Sequence, residues 1–187
     1  FHYTGKLNNF DKIIYLGNVV AGFLVPALFL HFACSYPEQQ AWIRRKGAAF
    51  LVYIPGLALL SAHLAFNFGW LRAATPLDEV LWLLDRVWLG YLCVFYLAGA
   101  GVFHVQRARA TDAIVRSQLT WLRNGALAGI VPFTLIYAVP YLAGVAPNQA
   151  MNLAVLTLPL IPLTWSYAIL RYRLMDVDII FEQGAVY

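Results

Sequence analysis

The sequence predicts an all-α fold, a polytopic membrane helical bundle of about five transmembrane helices followed by a cytoplasmic juxtamembrane helix. Three observations predict it. Of the 187 residues, 61% are hydrophobic and 12% charged, against roughly half and a quarter in soluble domains. Five apolar runs are long enough to cross ~30 Å of hydrocarbon, which takes ~20 helical residues. The basic residues sit in short bursts between those runs and form no extended face for nucleic acid. Helices are the spanning form, because an unpaired backbone group is costly in lipid and the runs lack the period-two pattern of a barrel.

The spans are placed near Ile13–Tyr36, Ala48–Phe68, Val80–Phe103, Trp121–Val145 and Gln149–Leu170, making 1–170 a transmembrane bundle and 171–187 a connector. Lys and Arg in the connections orient it. Arg44, Arg45, Lys46, Arg107, Arg109, Arg116, Arg123, Arg171 and Arg173 fall on one side; Lys6, Lys12, Arg72 and Arg86 fall on the other. The richer side is therefore cytoplasmic, together with the C-terminus. Five spans then leave Phe1 outside, and with no Met, charged leader or cleavage site at the start, an earlier membrane helix or signal sequence is expected ahead of it.

Within the spans, Pro26, Pro55, Pro132, Pro140, Pro159 and Pro162 each remove a backbone donor and predict kinks. Membrane helices tolerate proline, but Pro159 and Pro162, just before the exit, also read as a hinge. Small residues at Gly17, Ala21, Gly22, Gly99, Gly101, Gly125, Ala128 and Gly129 allow close helix approach. Tyr15, Trp42, Trp70, Trp82, Trp88, Trp121, Tyr141 and Tyr172 fall near span ends, where amphipathic rings mark the water boundary.

Polar groups inside apolar spans are where chemistry is sought. His31 and Cys34 share a helical face, a spacing open to metal or redox use. Near the inner end of its helix, however, His31 reads as an interfacial packing residue bonded to a neighbouring helix. His63 lies near the opposite end of the next span, so the two histidines cannot share a metal. His63 and Asn67 share one face, and Asp78, Glu79, Asp85 and Arg86 follow on the same outer side. Acids facing a histidine would bind a cation or respond to pH, while solvated boundary charges account for the same residues. Cys34 and Cys93, both in apolar runs, read as small hydrophobes. No GxxxxGK, HExxH or GxSxG pattern occurs, so no catalytic site, cofactor or metal is expected within this segment.

The longest inside connection, His104–Arg123, mixes basic with apolar positions. Ile114, Val115, Leu119, Trp121 and Leu122 would line one face of a helix on the anionic inner leaflet, or the arginines serve only as a topology anchor. In the tail, Leu170, Leu174, Val177 and Phe181 are spaced four, three and four, as in a coiled-coil seam. A lone amphipathic helix on the membrane surface fits equally. Arg171 and Arg173 hold the boundary, Asp176 and Asp178 begin the watery part, and Gly184 ends or loosens the helix.

Three stretches carry a family resemblance. PALFLHFACSYPE (Pro26–Glu38), RSQLTWLRNGALAGIVPF (Arg116–Phe133) and PLIPLTWSYAILRYRLMDVDII (Pro159–Ile180) resemble, in order and at corresponding helix ends, signatures of the multi-span sensory region of bacterial sensor histidine kinases. The resemblance implies a bacterial cytoplasmic membrane protein that works as a homodimer. It also implies a cytoplasmic output module after this segment, a GAF-type domain or a phosphoacceptor helix pair with a kinase domain using ATP and Mg. That module would phosphorylate a cognate response regulator. Some relatives end instead in a phosphatase or cyclase module, and some carry a PDZ-like domain before the bundle. None of His2, His31, His63 and His104 stands in a phosphoacceptor context.

The leading expectation is thus the membrane sensor of a two-component system. Its candidate sensing residues are His63, Asn67, Asp78, Glu79 and Asp85, and its candidate hinge and output residues are Pro159, Pro162, Arg171, Arg173, Asp176 and Asp178. A transporter or channel subunit is the alternative supported by Asn18, His63 and the proline-broken helices, and a purely structural anchor is a third.

Overall fold

A computed structural model of the chain describes residues 9–45, 47–68, 70 and 77–172. Every regular element among them is helical. The chain forms two compact units, one ending at Phe95 and one beginning at Tyr96.

The first unit holds α1 (Asn9–Ser35), a 3-10 turn (Ala48–Val52), α2 (Ile54–Asn67) and the first part of α3 (Leu77–Arg109). Helix α1 carries the first expected span, a 23-residue apolar segment from Ile13 to Ser35 with Pro26 inside it. Late in α1, His31 Nδ1 lies 2.7 Å from the Tyr53 hydroxyl just before α2. Early in α1, the Tyr15 hydroxyl lies 3.3 Å from His63 Nε2 late in α2. These two bonds make α1 and α2 antiparallel neighbours. They also set the two histidines ~24 Å apart along α1 at 1.5 Å per residue.

The second run, expected as one span over Ala48–Phe68, is split. Gly47 adopts a left-handed φ of 81° and opens the 3-10 turn, and α2 then begins anew after Tyr53. Pro55 lies in the first turn of α2, where its missing N–H would have no helical acceptor in any case. It starts the helix and does not kink it. With 14 residues, α2 covers ~21 Å, and the tight turn supplies the remaining length of the run.

The second unit holds the end of α3, α4 (Ala113–Phe133), a π-helical turn (Thr134–Ala138), α5 (Val139–Leu142), α6 (Gln149–Val155) and α7 (Leu160–Tyr172). The expected long connection His104–Arg123 is corrected, because α3 runs to Arg109 and α4 begins at Ala113. Only residues 110–112 lie between. Asp112 caps α4, its Oδ1 accepting the Ile114 N–H at 2.7 Å. No separate surface helix forms. Leu119 and Leu122 are fully buried while Ile114 and Trp121 are exposed, so these apolar positions divide between packing and the outer face.

The fourth run is one apolar helix of 30 residues, Ala113–Leu142. Pro140 lacks the N–H that would reach the Ile136 carbonyl, and the ladder widens into the π turn just ahead of it. The fifth run, Gln149–Arg171, is broken between α6 and α7. Through the break Leu156, Thr157, Leu158, Leu160 and Ile161 all bond back three residues, and the regular four-residue bond resumes at Leu163. Pro159 cannot donate, and it disfavours helical geometry at Leu158.

In each of the four long apolar helices only 17–33% of the most apolar window is buried, and Leu135, Leu163 and Leu170 are 64%, 64% and 82% exposed. Hydrocarbon is the medium that can cover so much apolar surface. Cys34 and Cys93 are buried free thiols. The small residues do not all serve close approach: a side chain at Gly17 or Gly101 would meet nothing, whereas one at Gly125 would run into Thr164 of α7 and one at Gly129 into Ile161. The α4–α7 crossing therefore depends on that glycine pair.

Candidate functional site

Pro26 organises the first unit. Its ring nitrogen carries no hydrogen, so the Gly22 carbonyl four residues earlier loses its helical donor. Trp88 of α3 supplies the replacement, its Nε1 donating to Gly22 O at 3.0 Å. One turn on, Tyr91 donates its hydroxyl to Phe23 O at 2.9 Å. Trp88 and Tyr91, three apart on one face of α3, thus fasten it to the kink in α1. Helix α2 closes the junction through Gly56, where a Cβ would lie 2.6 Å from Phe23 O and 2.7 Å from the Tyr91 hydroxyl.

The polar cluster is built on this junction. The Phe23 ring meets His63 at 5.6 Å between centroids and Trp88 at 6.2 Å. Tyr15 holds His63 Nε2 from α1, and the Asp85 carboxylate of α3, itself exposed, lies within electrostatic reach of His63. Arg86 stacks on the Trp82 ring, 3.3 Å from its centroid. A phenol and an imidazole from two helices therefore meet, with a carboxylate of a third helix within electrostatic reach.

The structure joins the expected pair His63 and Asp85. Glu79 is exposed six residues nearer the start of α3, ~9 Å along its axis. The side chains of Asn67 and Asp78 lie outside the described ones. Tyr15 and Trp88, expected as boundary markers, are hydrogen-bonded to His63 and to the Gly22 carbonyl. Trp88 answers the carbonyl that Pro26 strips of its donor, a need the sequence shows without naming which ring meets it. His31, beside buried Cys34, is engaged with Tyr53 in both a hydrogen bond and an edge-to-face contact. The described residues contain no group of three or more His, Cys, Asp or Glu able to hold a metal.

In the second unit, Pro159 closes the break before α7 and Pro162 sits in the first turn of α7, both exposed. Thr157, within the break, donates to the Gly129 carbonyl of α4 at 2.7 Å. The described part of α7 reaches Arg171 and Tyr172. Arg173, Asp176, Asp178 and the seam through Leu174, Val177 and Phe181 lie outside the described residues.

Kinked apolar helices, fastened through side chains to backbone carbonyls, define a polytopic α-helical membrane region. The chain belongs to the family described as the N-terminal 7TM region of histidine kinase, whose model matches residues 7–178. The three stretches quoted above fall inside that match, except for Ile179 and Ile180. No curated protein and no solved structure shows a significant match.

Proposed function

We propose that this region receives a stimulus at the end of the first unit that carries Tyr15, His63 and Asp85. It passes that stimulus through α7 to a C-terminal cytoplasmic kinase module that binds ATP and Mg. The excess of arginine at the opposite helix ends supports an outward-facing cluster in a bacterial cytoplasmic membrane. Asn67, Asp78 and Glu79 belong to the same sensing face. The output works as a homodimer and transfers its phosphoryl group to a response regulator. A change of charge at His63 biases two packings of the helices around Pro26, and α7 transmits the bias beyond Arg171. The observation that carries this reading is the hydrogen bond between Tyr15 and His63 of separate helices with Asp85 of a third within electrostatic reach, in a member of a histidine kinase sensory family.

The test is autophosphorylation of the full-length protein in liposomes while the pH on the face opposite the ATP site is varied. The parent responds, whereas His63→Phe and Asp85→Asn keep the maximal rate and lose the response. Equal responses in parent and variants would remove sensing from this cluster. Absence of phosphorylation in the parent with ATP and Mg would remove the kinase output.

A further inference from the structure

Between α4 and α7 runs a groove of about 440 Å³ lined by Thr120, Trp121, Asn124, Gly125, Ala128 and Thr164. Its floor exists because Gly125 has no side chain where Thr164 packs. Trp121 and Tyr167 meet with ring centroids 4.7 Å apart, forming an aromatic level of the kind found at the boundary between headgroups and acyl chains. Two guanidinium groups are tied to the groove's polar wall. Arg107 of α3 donates from Nε to Thr120 Oγ1 at 2.8 Å. Arg123 donates from Nε and Nη2 to Asn124 Oδ1 at 3.0 and 2.7 Å, with Nη1 3.2 Å from His104 Nδ1.

Among the described residues neither guanidinium has a carboxylate partner, and the acid nearest in sequence, Asp112, is engaged as the cap of α4. Two positive charges thus stand at the mouth of a groove whose far end, Gly125 and Ala128, is apolar, in a helix long enough to cross a bilayer.

We propose that this groove binds an anionic phospholipid of the surrounding membrane, its phosphate against Arg107 and Arg123 and an acyl chain along Gly125 and Ala128. A phosphate accepts several guanidinium bonds, and a basic pocket between membrane helices is suited to an anionic headgroup. The occupant would lie against α7, so lipid composition bears on the helix that leaves the unit. Binding itself is independent of what the cluster around His63 senses.

The test is native mass spectrometry of the purified 187-residue chain in nonionic detergent, with equimolar phosphatidylglycerol and phosphatidylcholine. Phosphatidylglycerol is retained preferentially. Arg107→Gln and Arg123→Gln each reduce its retention about fivefold, and together about 25-fold. Ala128→Phe, at an exposed position, fills the groove with the arginines intact and also reduces retention. Arg44→Gln with Arg45→Gln, remote in sequence and equally basic, leaves retention unchanged. Equal retention of the two lipids, full retention in Ala128→Phe, or an equal loss in the Arg44 and Arg45 variant would each overturn the proposal.

Discussion

Thr157 donates its hydroxyl to the Gly129 carbonyl at 2.7 Å, three residues before Pro132, as Tyr91 donates to Phe23 at 2.9 Å, three residues before Pro26. A proline inside a helix bends the ladder and loosens the carbonyls of the preceding turn. In hydrocarbon no water can satisfy them, so a donor must come from another element. Each kink thereby becomes a fastening point. In the first unit it fixes α3 to α1, and in the second it fixes the turn ahead of α7 to α4.

Thr157→Val keeps the shape and removes the donor. The expected loss is about 0.6 to 1.7 kcal/mol, the range of interhelical hydrogen bonds in membranes. It is read as a lowered midpoint of thermal unfolding in detergent, with Thr157→Ser close to the parent. A midpoint as high for valine as for serine would mean that the Gly129 carbonyl needs no donor.

Trp88 and Pro26 are linked through the Gly22 carbonyl, and a double-mutant cycle measures the link. Trp88→Phe alone leaves that carbonyl without the indole donor and lowers stability by about 1 kcal/mol. Pro26→Ala restores the backbone N–H that Gly22 would bond within α1. In that background Trp88→Phe has the smaller effect expected of lost ring area alone. Strict additivity of the two substitutions would refute the account of the kink.

Composition and span length were enough to read the helical class and four of the five expected spans, whereas the second is a shorter apolar helix among the described residues. Hydropathy does not distinguish a 3-10 turn from an α-helix, so Ala48–Phe68 appeared as one span. Arg107, Arg116 and Arg123 made residues 104–123 look like a connection. In the structure they bond to Thr120, Ala110 and Asn124, which lets polar side chains ride on continuous helices. His63 and Asp85 were legible because charge-bearing groups stand out in apolar sequence. Tyr15 and Trp88 were not, because a ring donor bonded to a partner and a ring at the water boundary have the same residue type and position. The π turn depends on how Pro140 is accommodated, which no local pattern specifies.

Gly56 and Gly17 offer a contrast of one methyl group. Gly56→Ala places a carbon against Phe23 O, a backbone atom fixed within α1, and against the Tyr91 hydroxyl, so stability falls by about 1 to 3 kcal/mol. Gly17→Ala meets nothing within 4 Å and gains up to about 1 kcal/mol from helix propensity. Thermal midpoints moving in opposite directions are expected, and two equal shifts would contradict the junction described at Phe23.

Pro159 and Pro162 lie three residues apart but are unequal in consequence. Pro162 lies in the first turn of α7, where a missing N–H removes no helical bond. Pro159 closes the break and is the residue whose donor would carry the ladder back to Val155. Pro159→Ala therefore lets α6 and α7 merge, and Pro162→Ala changes little. Spin labels at exposed positions Asn152 and Ser166 report this directly, because a continuous helix holds them ~21 Å apart along its axis. The distance is expected to approach that value in Pro159→Ala and to stay at the parent value in Pro162→Ala. If the full-length protein carries its signal through this break, Pro159→Ala also fixes kinase output at one level, whatever the stimulus. A parent-like distance in Pro159→Ala would instead place the origin of the break in the bond from Thr157 to Gly129.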